Sequence, residues 1–325
     1  MILDFNNSIA EVHQIQSLAI IDNDSVSQTF CVGIPTYKRA DTLEKTLESV
    51  LRQKKCVNFN ILISDNNPER DDETELLMRQ YKNVKGLKYF KHVLPLTPAD
   101  NFNKLLDLCN TKYLFIVHDD DELFPEFVDY MVKILHIYPT LSYAKCNKIS
   151  WNGVCKPLQG KQVTKSALFK VSLFSLFYQF GLAPTGCCIS VSDAKDVGGF
   201  SQSALPATDY VFVAQLLMKR KLVLYTTKKL MYYRCVANDT SNPLTQEKLK
   251  YMDTQIKNEL GKILNLPKTY IKLIVKMTEK THDIAISRIL TGEKKSFQKC
   301  FFLCVRIVDI LHKVYFYMTL KVKSI

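Results

Sequence analysis

Three apolar, β-rich runs in this chain each break abruptly into polar residues, and no other feature of the sequence constrains the fold as tightly. FCVGIPTY (30–37) leads into Lys38-Arg39. NFNILISDNN (58–67) closes on Ser64-Asp65-Asn66-Asn67, and KYLFIVHDDDEL (112–123) on His118-Asp119-Asp120-Asp121-Glu122. Runs this short and this apolar read as buried strands. Between them the spacing turns helical: Leu43, Leu47, Val50 and Leu51 mark one face of 41–53, with Asp41 and Glu44 as a capping pair at its start. Residues 71–82, 101–110 and 125–139 read as further helices and 85–93 as a short strand. Strands alternating with helices of this length predict an α/β fold with a mainly parallel sheet covered on both faces. Ligands of such sheets sit beyond the carboxyl ends of the strands, so the three polar clusters share one rim.

The rim carries the chemistry. Three aspartates and a glutamate directly after YLFIV repel one another unless a cation compensates. Hard carboxylate oxygens suit Mg2+ or Mn2+, which bind through one or two carboxylates plus substrate phosphates. The plainer reading is a solvated acidic loop at the N-terminus of the next helix. Asp65 is either a turn residue or an acceptor for a nucleotide base or ribose. Lys38 and Arg39 are either surface charges or the cations that offset a pyrophosphate. Neither GxGxxG nor GxxxxGK[ST] occurs, which argues against a dinucleotide-binding fold and a P-loop.

VGIPTYKR, ILISDNN, NFNKLLDLCNTKYLFIVHDDDEL, VGGF and ALPATDY, in that order, resemble the family 2 glycosyltransferases of the GT-A fold, most of all the branch that builds bacterial surface polysaccharides. The resemblance spans about residues 29–240 and rests on five motifs in the family order. It implies a nucleotide-sugar site at Pro35, Thr36, Tyr37, Arg39, Asp65, Asn66, Asn103, Asp119, Asp120 and Arg234. It also implies a DxD region in which Asp119, Asp120 and Asp121 hold Mn2+ or Mg2+. Counting back from Glu122-Leu123 places His118 where the family has its first acid; counting by identity selects Asp119 and Asp121, so all three aspartates stand as candidates. Thr208-Asp209 occupies the place of a Glu-Asp pair whose acid is the catalytic base, which assigns that role to Asp209. Asp209 would otherwise be a carboxylate in the first turn of a helix over 208–219. The implied reaction is inverting transfer from a nucleotide-sugar, a UDP-sugar foremost, to a hydroxyl of a saccharide or lipid-linked acceptor. A catalytically inert sugar- or membrane-binding relative and a sugar-1-phosphate nucleotidyltransferase are the alternatives. The second normally shows a Gly-rich loop where this chain has PTYKR.

The expected domains are an N-terminal extension (1–28), a catalytic domain (29–240) and a basic helical C-terminal region (241–325). Charge supports the last boundary. The 325 residues carry 44 Lys+Arg against 32 Asp+Glu, a net +12, and 16 Lys/Arg against 7 Asp/Glu fall in 245–325, so +9 of the excess lies there. Lys262, Lys268, Lys272 and Lys276, then Lys294, Lys295 and Lys299, recur among apolar residues. Such a segment suits an anionic membrane surface, above all over 297–320. Helices packed on the catalytic domain with lysines outward are the simpler account. No nucleic-acid motif is present. MILDFNNSIAEVHQ lacks the basic and apolar regions of a signal peptide, and 301–320 is interrupted by Arg306, Asp309 and Lys313. A cytoplasmic protein, peripheral on the inner face of the plasma membrane, is expected, with the ten cysteines as reduced, mostly buried thiols.

Overall fold

The computed structural model describes residues 2–53, 57–153, 156, 166–178, 182–235, 242–291 and 321–324. Its strands are β1 (Ser17–Asp22), β2 (Phe30–Thr36), β3 (Asn60–Asp65), β4 (Leu87–His92), β5 (Tyr113–Ile116), β6 (Glu122–Leu123), β7 (Leu141–Trp151), β8 (Ala167–Lys170), β9 (Cys187–Ser190), β10 (Leu222–Arg234) and β11 (Lys321–Ser324). Its helices are α1 (Ser8–His13), α2 (Ala40–Leu51), α3 (Glu73–Gln80), α4 (Pro98–Leu108), α5 (Phe127–Ile137), α6 (Leu173–Tyr178), α7 (Val191–Asp196), α8 (Thr208–Met218), α9 (Pro243–Ile263) and α10 (Lys268–Thr291). One mixed sheet runs in the order β1-β4-β3-β2-β5-β9-β7-β10-β8-β11, with β6 paired to β10. The stretch β4-β3-β2-β5 is parallel, as is the β7–β10 pair.

The apolar runs are continuous because both faces of these strands are covered. Along β2, Cys31 enters one core while Val32 and Ile34 enter the other; β5 divides in the same way, Leu114 and Ile116 against Phe115. The second core is closed by Leu43, Leu47 and Val50 of α2 and by Val128, Met131 and Leu135 of α5. The first is closed by Leu105 and Leu106 of α4, by Val211 to Leu216 of α8, and by Ile256, Leu260, Ile271 and Ile274 of α9 and α10. Hence α8 has no polar face and is buried over Tyr210 to Leu216.

Three local expectations change. Helix α2 starts at Ala40 with Arg39 at its N-cap and no side-chain cap bond, so Asp41 falls inside the first turn instead of capping it. The run 112–123 is not one strand: β5 stops at Ile116, the acids form a turn closed by the Asp121 N–H on the His118 carbonyl (3.2 Å), and β6 then pairs antiparallel with β10. Residues before 29 also contribute to the sheet, since β1 forms its edge against β4.

In the C-terminal region α9 and α10 pack on each other and on the first core. Lys262, Lys268, Lys272 and Lys276 all face solvent, as the packed-helix account requires. The backbone N–H groups of Ile2 and Leu3 reach across to the Glu259 carboxylate of α9. Lys294, Lys295, Lys299 and the segment 297–320 lie outside the described residues. Among the described residues no helix is long and apolar enough to cross a membrane. Five of the described cysteines are buried free thiols, and Cys235 is exposed.

Candidate active site

The ends of β2 and β5 meet through side chains. Thr36 at the end of β2 is buried, and its hydroxyl donates to Asp119 Oδ2 (2.8 Å). Lys38 adopts a left-handed backbone (φ 51°), a conformation that is uncommon away from glycine. The following residue, Arg39, extends Nη1 to Asp120 Oδ2 (3.0 Å) and Asp119 Oδ1 (3.4 Å). Asp121 accepts from Thr185 Oγ1 (2.6 Å) and from the backbone N–H of Arg234 (2.9 Å). Arg234 Nε donates to the Asp120 carbonyl (3.2 Å), and its guanidinium stacks 4.5 Å above the Trp151 ring. The last residue of β10 thus also fastens the acidic turn.

Burial dominates the electrostatics of this turn. It raises the Asp119 carboxyl to about 6 against the opposing pull of Arg39. It raises Asp121 to about 7, with the neighbouring Asp120 charge adding to the rise, and Asp120 is raised for the same first reason. His118 is pushed down to about 3 by burial and then by the positive charges of Lys145, Arg39 and Lys148, so its imidazole is neutral. Three buried acids held this close are a site that a cation would relieve.

The structure gathers Thr36, Arg39, Asp119, Asp120, Asp121 and Arg234, with Pro35 beneath them in β2 and Tyr37 half exposed at the rim. It uses Asp65, Asn66 and Asn103 differently. Asp65 is wholly buried and accepts from Tyr89 Oη (2.6 Å), the Asn67 N–H (2.9 Å) and Lys91 Nζ (3.1 Å). The Asn66 amide donates to the Leu96 carbonyl (2.6 Å) and holds the loop before α4. Asn103, also wholly buried, donates to the Phe200 carbonyl (2.9 Å) and accepts the Phe200 N–H (2.7 Å), which ties the VGGF turn to α4.

Asp209 lies in the first turn of α8, partly exposed, accepting the Tyr210 N–H (2.9 Å). Burial raises its carboxyl to about 6, and the charge of Asp253 on α9 pushes the same way. Asp253 is itself held by His282 Nε2 (2.9 Å) across the α9–α10 interface. The link to the acidic turn is Lys145, buried in β7 and donating to the Thr185 carbonyl, whose charge acts on His118, Asp121 and Asp209 alike. Sequence reasoning passed over Lys145, although a lone lysine inside the apolar run LSYAKC is the kind of signal that marks a buried charge.

One ring nitrogen of His118 and one carboxylate oxygen each of Asp120 and Asp121 lie within 4.8 Å of one another. His118 Nε2 is also buried without a hydrogen-bond partner. An imidazole with an orphaned nitrogen, grouped with two carboxylates, fits a divalent cation. Asp119 is not in this group: Thr36 engages its Oδ2, and Arg39, which also reaches Asp120, its Oδ1.

The mixed sheet, with its acidic turn after a central parallel strand, has the GT-A fold, which it shares with solved structures. Residues 31–186 match the model of glycosyl transferase family 2. Two solved structures share the fold. TarS 1-349 of S. aureus, in complex with UDP-GlcNAc, aligns with a TM-score of 0.57 at 18% identity over 80% of this chain and 74% of that one. The mannosyltransferase PcManGT of Pyrobaculum calidifontis, in complex with GDP-Man and Mn2+, aligns with a TM-score of 0.56 at 14% identity over 96% of this chain and 88% of that one. No curated protein sequence matches the chain. The family match covers a little under half of the chain, and the two structures show the shared fold.

Proposed function

We propose that the protein transfers a sugar from a nucleoside diphosphate donor to an acceptor hydroxyl with inversion, Asp209 acting as general base. The observation that carries this reading is the pairing of a buried acidic turn, braced by Arg39 and Arg234, with a separate, partly exposed carboxyl raised to about 6. The two sites suit different tasks. The turn suits a diphosphate and its cation, whereas a carboxyl near neutrality exchanges a proton readily at working pH.

In the proposed reaction the acceptor O–H gives its proton to Asp209 as its oxygen bonds to the anomeric carbon. The bond from that carbon to the diphosphate oxygen breaks on the opposite face, and the electron pair leaves with the nucleoside diphosphate. One displacement inverts the configuration, and a second would need a carboxylate nucleophile that this reading does not supply. Asp120 and Asp121 would hold the cation, which when bound supplies charge neutralisation to the leaving diphosphate. Arg39 and Arg234 add fixed positive charge at the turn. Pro35, Thr36 and Tyr37 line the approach of the nucleotide in this reading, and Asp65, Asn66 and Asn103 act by shaping its floor. The acceptor is proposed to be a saccharide or a lipid-linked saccharide of a surface polysaccharide. The exposed lysines of α9 and α10 suit a peripheral position on an anionic membrane.

The test is thermal unfolding with UDP, GDP, CDP and ADP, each with and without Mn2+. Ligand at a hundred times its dissociation constant stabilises by about 2.7 kcal/mol, so one nucleotide should raise the melting temperature in a Mn2+-dependent manner. A protein indifferent to all four would refute the donor site. The Mn2+ shift should also grow between about pH 6 and pH 8. Below the Asp121 value of about 7 a cation must displace a proton to bind, and above it the carboxylate is already free of one. A shift that shrinks with rising pH would contradict this assignment.

A further inference from the structure

We propose that His118 is itself a ligand of the donor-site cation and that its imidazole makes the site prefer a first-row transition ion, Mn2+ or Co2+, over Mg2+. The inference rests on the nucleotide-sugar reading above and narrows the cofactor of that site.

Three observations converge on it. First, a His118 ring nitrogen shares a span of 4.8 Å with oxygens of Asp120 and Asp121. A cation with bonds of ~2.1 Å holds neighbouring donors ~3 to 4.2 Å apart, so small side-chain rotations close the set. Second, His118 Nε2 is buried and unpartnered, an arrangement that is costly unless something occupies it. The residue is not idle structurally: its backbone N–H donates to Thr185 Oγ1 (3.2 Å), and its ring packs on Phe102 at 5.5 Å. These contacts fix the imidazole in place, as a ligand requires, and leave Nε2 unused. Third, both oxygens of Asp119, the residue that would otherwise complete an all-oxygen set, are engaged, Oδ2 by Thr36 and Oδ1 by Arg39, whereas Arg39 reaches Asp120 only at Oδ2.

One nitrogen and two oxygen donors have a chemical consequence. Mg2+ demands near-ideal octahedral oxygen coordination and gives up its waters reluctantly. Imidazole nitrogen favours first-row transition ions instead. Exchanging a carboxylate for an imidazole also removes one negative charge from the set, which weakens the hard ion most. A site of this composition therefore discriminates where three carboxylates would discriminate less.

The experiment uses the full chain with Mn2+ alone, without nucleotide. Pulsed electron paramagnetic resonance of the bound Mn2+ should show modulation from a directly coordinated nitrogen. The chain has six histidines, so the assignment needs a variant. His118→Asp keeps a ligand at the position and should bind Mn2+ without nitrogen modulation. Competition by Mg2+ should show the second effect, with the preference for Mn2+ over Mg2+ falling roughly tenfold from wild type to His118→Asp. His118→Gln, which retains size and polarity, should lose the modulation even if the aspartate variant folds poorly. Mn2+ bound to the wild type without nitrogen modulation overturns the inference and leaves the nucleotide-sugar reading standing. Failure of the wild type to bind Mn2+ at all overturns the inference, while the thermal assay with nucleotide reports separately on metal dependence and on the donor site.

Discussion

Asp209→Asn is expected to lower sugar transfer ~10^2 to 10^4-fold, the usual contribution of a general base, while leaving nucleotide binding intact. The substitution keeps the shape of the side chain and its acceptor for the Tyr210 N–H, so α8 should remain in place. The wild-type rate should fall as pH drops through about 6, because the base works only as the carboxylate and burial has raised its value to that point. Above about 7 the rate should level. The groups that act on Asp209 are Lys145 on β7, which stabilises the charged form, and Asp253 on α9, which opposes it. Asp253→Asn should therefore move the acidic limb to lower pH. Initial rates with saturating donor across pH 5 to 9 check both statements. A Asp209→Asn enzyme with more than about a tenth of wild-type activity would remove Asp209 from the chemistry, as would an acidic limb unaltered in that variant.

The largest expected loss of stability comes from Gly198→Ala. Gly198 has φ 87°, a region a β-carbon disfavours. A Cβ there would stand 2.0 Å from the backbone carbonyl oxygen of Asn6. Backbone on both sides cannot yield as a side-chain tip can. The same turn accepts the Ile9 N–H on the Gly198 carbonyl (3.3 Å), and its end is clamped by Asn103. We expect a loss of about 3 kcal/mol or more, combining strain with the displaced N-terminal segment. Gly33→Ala is the control: its Cβ would meet Leu114 Cδ1 at 2.9 Å, the end of a side chain, and should cost about 1 kcal/mol. Urea unfolding of the two variants decides it, and equal losses would contradict the argument.

Where the sequence was legible, one pattern made it so. β2, β3 and β5 announced themselves because strands covered on both faces are apolar through their middles, with polar residues only at their ends. That same break located Thr36, Arg39 and the acidic turn on one rim, where they do meet. What escaped is what depends on partners distant in the chain. The end of the run 112–123 read as strand because Glu122-Leu123 does extend, but its partner is β10, more than a hundred residues away. Asn103 carries the side chain of a binding residue, yet both its amide atoms serve Phe200. On α9, Asp253 and Lys257 look like two more charges on a polar helix, although both are buried. Only the position of α10, which brings His282 to Asp253, accounts for the first of them. Arg39 was read as a surface or diphosphate charge, and its approach to Asp119 and Asp120 needed the left-handed turn at Lys38, which nothing in a lysine codon announces.

The fastening of the acidic turn by β10 bears on the order of events during synthesis. Leu123 and Glu122 pair with Met231 and Tyr232, and Asp121 waits for the N–H of Arg234, 113 residues further along. The first half of the sheet can assemble from near neighbours as it leaves the ribosome. The turn that would grip the donor cannot, since its closing contacts arrive only when residue 234 has emerged. Nascent chains should therefore pass through a stage with a folded β4-β3-β2-β5 layer and unanchored aspartates, and donor binding should appear only after that layer has formed.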